Sequence, residues 1–169
     1  MSRAPGQPRR VEQRIVQLDY GQFGLCGNPS PDSDYLGELE RAIAGPGIAG
    51  DDYGLVVVSP HQNNFEMPFR LEEWDTRPPD DEADWEEVFE GELLVVDEVL
   101  TYFSPTDANE TFPVPNGRYA VRISGRGFVN RGWPGSTTPG DSWRVQLWPA
   151  AGEVPARRVK RWRHPGEAP

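Results

Sequence analysis

Short runs in which apolar and polar residues alternate, each closed by a cluster of Gly, Pro, Asn or Asp, recur along this chain and leave room for little except β-structure. After the Asn116-Gly117 pair, whose residues both tolerate positive φ, Tyr119, Val121 and Ile123 fall on one face against Arg118, Ala120, Arg122 and Ser124. The same period of two sets Val16, Leu18 and Tyr20 against Ile15, Gln17 and Asp19, and Trp143, Val145 and Leu147 against Arg144, Gln146 and Trp148. It also sets Phe65, Met67, Phe69 and Leu71 against Glu66, Pro68 and Arg70, where Pro68 implies an edge strand or a bulge because it cannot donate to a ladder. Eighteen Gly and eighteen Pro in 169 residues supply the turns between such runs.

Further strands are expected from the apolar LVVV beginning at Leu55 and from Glu92 to Phe103, the latter whole or broken near Asp97 and Glu98. ARRVKRW near the C-terminus is a last strand, and GQFGLC continues the first one past a bend. SPHQNN, SPTDANE and NRGWPGSTTPGD read as loops. One helix is expected over YLGELERAIA, with Asp34 as its N-cap and Gly45-Pro46-Gly47 as its stop. Tyr35, Leu36, Leu39 and Ile43 share a face that should cover the end or edge of a sheet, with Glu38 and Glu40 pointing elsewhere. The expected architecture is an all-β, antiparallel β-sandwich of about 7–9 short strands with one short covering helix, and a partly open barrel is its competitor. Residues 12–163 form the single domain, and 1–11 and 164–169 are flexible tails.

Charge is unevenly distributed. Between Glu72 and Glu110 fifteen Asp or Glu face one basic residue, Arg77, a deficit larger than the chain's net charge of −10, and elsewhere the signs nearly balance. The run TRPPDDEAD offers no core-forming residue, so it reads as a loop whose acids have no structural duty. Asp80, Asp81, Glu82, Asp84, Glu86 and Glu87 are therefore the candidate partner-binding residues, because a carboxylate-rich flank accelerates encounter with a basic surface. A catalytic carboxylate pair needs burial to separate its pKa values, which a Pro-rich polar loop does not offer. Calcium coordination by DDEAD is the alternative, although the loop lacks the glycine of an EF-hand turn.

Two histidines, His61 and His164, and one cysteine give no zinc pattern; neither GxSxG nor a Walker loop nor GxGxxG occurs. Ser59 and His61 lie on alternate sides of an extended chain, which disfavours a nucleophile–base pair. Cys26, in the apolar FGLC, reads as a small core hydrophobe. Trp133, held between Gly and Pro in RGWPG, is the candidate ligand-binding residue for a glycan, whereas Trp74, Trp85, Trp143 and Trp148 lie in or beside strands and should pack. RRVKRWRH puts five charges and a Trp in eight residues; in a chain of net charge −10 it should pair with the acidic loop, and no direct nucleic-acid binding is expected. With no run of eighteen apolar residues, the expectation is a cytoplasmic protein that needs no membrane and no cofactor.

Several phrases resemble the family of the bacterial competence protein ComJ. They are LDYGQFGL, the helix followed by Gly and a strand in LGELERAIAGPGIAGDDYGLVVVS, MPFRL and FPVPNGRYAVRIS, spanning about Val16 to Ser124. The resemblance implies a β-sandwich that acts as an inhibitor or immunity protein of a nuclease. It carries over no binding residue, and the acidic insertion at Pro78–Asp84 and the extension after Gly127 depart from it. The expected function is a non-enzymatic module binding a protein partner, a basic nuclease or toxin, through its acidic surface. A glycan- or calcium-binding sandwich is the alternative.

Overall fold

A computed structural model describes residues 6–60, 65–106, 108–128, 140–164 and 166. Within the described residues eleven strands and one α-helix build two stacked sheets. In chain order they are β1 (Arg10–Leu18), β2 (Gln22–Cys26), α1 (Tyr35–Ala44), β3 (Ile48–Gly50), β4 (Gly54–Val58), β5 (Phe65–Glu73), β6 (Glu87–Val95), β7 (Val99–Ser104), β8 (Ala108–Pro113), β9 (Gly117–Arg126), β10 (Ser142–Pro149) and β11 (Arg157–Lys160). One sheet, A, runs β1-β5-β10-β9-β6-β11; the other, B, runs β3-β4-β2-β7-β8. The fold is the expected all-β sandwich with one short helix.

The details depart in instructive ways. Eleven strands exceed the seven to nine expected because β3 has three residues and β8 begins within SPTDANE, which reads as a loop; both are sheet edges, where one neighbour suffices. Among the described strand pairs all are antiparallel except β5–β10, in which Trp143 sits level with Phe69. Pro68 is therefore not on an edge strand. It pairs with Ile15 of β1 and lies one residue before β10 joins, where its missing N–H leaves no rung open. β1 begins at Arg10 and pairs with β5 up to Glu73, so the first strand starts inside the segment read as a tail.

Two breaks move the chain from one sheet to the other. Tyr20 and Gly21 both take positive φ (53° and 66°), turning the chain between β1 and β2, so GQFGLC begins a strand in the opposite sheet rather than continuing β1. Glu98, at φ 56°, does the same between β6 and β7, at the break expected near Asp97.

The inner faces meet in an aromatic core. Trp143 lies 5.2 Å from Phe23 across the sandwich, ring centre to ring centre, and also packs on Phe89 and Phe128. Phe69 and Tyr102 stand 5.0 Å apart. The hydroxyl of Tyr102 donates to the Gln17 carbonyl, satisfying the one polar atom this ring carries into the core. Burial pushes the Cys26 thiol pKa up, against the formation of a reactive thiolate.

Candidate functional site

The expected site, the acidic loop, is a strap across the outer face of sheet A. Alternation along β5, β10, β9 and β6 places Glu72, Gln146, Arg122, Glu90 and, on β11, Arg157 in one cross-strand row beneath it. All but Arg157 are buried there. Hydrogen bonds link the row: Gln146 donates to Glu72 at 2.9 Å, Arg122 to Gln146 at 3.3 Å, and Arg157 to Glu90 at 2.8 Å. Above it, Asp81 receives both terminal nitrogens of Arg144, at 2.6 and 2.8 Å, and stands 3.8 Å from Arg122, whose residue is 1% exposed. Arg122 also donates to the Pro79 carbonyl at 3.0 Å. Trp85, at the end of the strap, is flanked by the guanidiniums of Arg126 and Arg144, each 4.4 Å from its ring centre.

The premise that these acids lack structural work is overturned. Asp80 caps the N–H of Glu82, which opens the 3-10 turn Glu82–Asp84. Glu86 accepts from the Gly127 N–H at 2.5 Å, and Glu87 is buried, accepting from the Trp162 N–H and pairing with Arg158 at 3.3 Å. Asp84 is exposed and engages through its backbone, its N–H donating to the Asp81 carbonyl and its carbonyl accepting from Arg126. The expected pairing of the basic C-terminal run with the acidic loop is present, through Arg158–Glu87 and Lys160 on the Glu82 carbonyl, and Arg157 pairs with Glu90 of β6 beside it. Carboxylates committed in this way are not poised for calcium, and among the described residues no group of three His, Cys, Asp or Glu could hold a metal ion. Trp133 and His61 lie outside the described residues. Among the described residues, no helix is long and apolar enough to cross a membrane.

The electrostatics follow from these pairs. Hydrogen bonds from Arg144 hold Asp81 below the usual carboxylate range against the opposing effect of burial. Burial pushes Glu72 and Glu90 up, but their donors (Arg70, Gln146 and Trp74 for Glu72; Arg77 and Arg157 for Glu90) outweigh it and leave both below their ordinary values. A carboxylate depressed on folding contributes stability that is present above its unfolded pKa and lost as pH falls through the folded one. The melting temperature should therefore rise as the pH falls from 7 towards 5, where the raised Asp141 carboxyl takes up its proton in the fold, and fall once the pH drops below about 4, the range in which free Asp and Glu titrate. Thermal melts at pH 7, 5, 4 and 3 check this; a flat profile to pH 3 contradicts it. Asp141, buried near Glu86, is the opposite case, its pKa pushed up to about 7 chiefly by desolvation and secondarily by that carboxylate.

Asp81 and Glu87 of the strap are paired with arginines, and a second group of acids lies on another part of the chain. Gly27 to Ser59 contains six Asp or Glu and one Arg, half of the net charge of −10. Its only Arg, Arg41, is paired with Glu38 at 2.6 Å, whereas Asp32, Asp34, Glu40 and Asp52 are exposed. This segment carries α1, capped as expected by Asp34 accepting from the Gly37 N–H at 3.1 Å. The helix packs on β3 and β4 with the opposite polarity to that expected: Glu38 and Ala42 are buried, while Leu36 and Ile43 are 70% and 65% exposed. Tyr35 and Leu39 flank the packing face, the former 5.3 Å from Phe103 and donating to Gln22. Tyr20, 62% exposed at its strained turn, lines a cleft with Leu39 and Ile43. Alternation of exposed Leu with acids around it marks the patch, but its direction relative to the sheet is not legible from period alone.

No family model and no curated protein matches this sequence. Solved structures do. A crystal structure of ComJ from Bacillus subtilis, inhibitor of the DNA-degrading activity of NucA, superposes with a TM-score of 0.53 at 14% identity, covering 85% of this chain and 98% of that one. This chain has a ComJ-like fold. The product of crocagin biosynthetic gene J superposes with a TM-score of 0.55 at 12% identity, over 83% of this chain and 97% of that one. The ComJ-like fold thus reaches well beyond Val16–Ser124, and β10 and β11, read as an extension, are members of sheet A.

Proposed function

We propose that this protein is a ComJ-like inhibitor or immunity protein that catalyses nothing itself and binds a basic protein, a nuclease or toxin, through the surface around α1. The observation that carries this reading is the outward apolar stripe of α1, Leu36 and Ile43 with Tyr20 beside them, set among exposed Asp32, Asp34 and Glu40. Aromatic and aliphatic anchors ringed by like charge combine a desolvated centre with a rim that steers an oppositely charged partner. The inhibitor role named for the structurally similar ComJ supports the same conclusion. Of the strap, Asp80, Glu82, Asp84 and Glu86 contribute long-range attraction to that partner, and Asp81 and Glu87 remain committed to the fold.

The test is recovery of a stoichiometric partner from the source cells, followed by affinity and nuclease assays with the purified pair. Ile43→Ser and Leu36→Ser should each weaken binding about tenfold or more, as truncated anchors do. Asp80→Asn with Asp84→Asn should mainly flatten the salt dependence of the association rate. A partner indifferent to both helix substitutions rules the surface out, and a partner that is acidic rules out the charge argument.

A further inference from the structure

On the outer face of sheet A, beside the strap and away from α1, β1, β5 and β10 leave a cavity of about 340 Å³ lined by Gln13, Ile15, Pro68, Arg70, Trp85, Ser142 and Arg144 among its residues. That volume is at the lower end of what small-molecule sites occupy. Its apolar walls come from Ile15, Pro68 and the Trp85 indole, and Ile15 is 60% exposed although it stands mid-strand. In a chain with a net charge of −10, no carboxylate among the described residues lines this cavity, and its ionisable lining residues among them are Arg14, Arg70 and Arg144. Arg14 is committed elsewhere, to Glu12, Glu110 and the Thr111 carbonyl. Arg70 gives its Nε to Glu72 and makes no hydrogen bond through its terminal nitrogens among the described residues. Arg144 gives both terminal nitrogens to Asp81, and its buried Nε has no acceptor.

We infer that this cavity is a binding site for a small, flat, apolar molecule carrying one acidic group, its ring system lying against Ile15, Pro68 and Trp85 and its carboxylate or sulfonate accepting from the terminal nitrogens of Arg70. A charged donor without a protein acceptor gains most from an ionised one. The ion pairs Arg144–Asp81 and Arg70–Glu72 cancel at long range, so recognition comes from directed N–H groups and apolar contact. Affinity should accordingly depend little on salt, in contrast to the partner surface around α1. The site is independent of the inhibitor reading and survives its failure.

The test uses 8-anilinonaphthalene-1-sulfonate and its uncharged relative N-phenyl-1-naphthylamine as fluorescent probes on the full chain. Saturable binding of the sulfonate near one equivalent is expected, changing less than about twofold between 50 and 300 mM NaCl. Arg70→Gln should weaken the sulfonate roughly tenfold, the loss of one charged hydrogen-bond donor, and leave the neutral probe unchanged. Ile15→Asp, at an exposed outward position that folding does not require, should abolish binding of both. The inference is overturned by an absence of saturable sulfonate binding, by binding that survives Ile15→Asp and Arg70→Gln, or by binding lost in Leu36→Ser, which would place the probe on the helix.

Discussion

Asp81→Asn should cost about 2–3 kcal/mol of folding stability, several times the effect of Asp84→Asn on the same strap. The asymmetry follows from what each carboxylate touches. Asp81 balances Arg144 in a bidentate pair and lies within 3.8 Å of Arg122, and both arginines are buried beneath the strap. Removing the negative charge leaves two guanidiniums stranded in a region water reaches poorly, which is costlier than the pair itself is stabilising. Asp81 is partly open to solvent, with a side-chain exposure of 30%, which places the figure below that for a fully buried pair. Asp84 is exposed, and neutralising it should fall within about 0.5 kcal/mol of zero. Arg144→Met in the Asp81→Asn background should recover part of the loss, because the stranded charge goes with it. Chemical denaturation of the four proteins measures all of this; equal, small effects at Asp81 and Asp84 would return the strap to the status of a solvated loop.

Trp143→Ala should be more damaging, at about 3–5 kcal/mol, which in a chain of this size corresponds to a fall in melting temperature of roughly 10 °C or more. Trp143 is among the largest fully buried side chains, and its ring contacts come from both sheets: Phe23 on β2, Phe89 on β6 and Phe128 just past β9. The cavity left by its loss cannot be filled by one neighbour's movement, since each of the three rings is anchored in a different segment. Differential scanning calorimetry decides the point, and a loss under about 1 kcal/mol would mean that the packing between the sheets is looser than the ring geometry indicates.

Both expectations bear on what the sequence discloses. The strands with clean alternation, β1, β9 and β10, were readable because one face of each is spent on the core, and the period of two records that directly. The break at Asp97–Glu98 and the span and cap of α1 were readable for equally local reasons. The orientation of α1 was not. Period groups Leu36 with Ile43, but whether that group faces the sheet depends on β3 and β4, the strands on which the helix packs. Charge was misleading in a different way. An acidic third and two arginine-bearing ends look separate along the chain, yet β11 pairs with β6 and β10 brings Arg144 beneath the strap, so part of the excess cancels where the sequence shows it most strongly. The surplus emerges at Gly27–Ser59, a stretch partly masked in the overall count by basic residues near the two ends.

The parallel β5–β10 pair has a consequence for how the protein comes into being. During synthesis β5 and β9 emerge as members of one sheet that lacks its middle, because the strand joining them is made only after both. Until Ser142–Pro149 arrives, Met67, Phe69 and Leu71 of β5 and Val121 and Ile123 of β9 have no shared neighbour to bury them. A nascent chain in that condition carries open strand edges and apolar faces together, the combination that recruits chaperones and slows maturation.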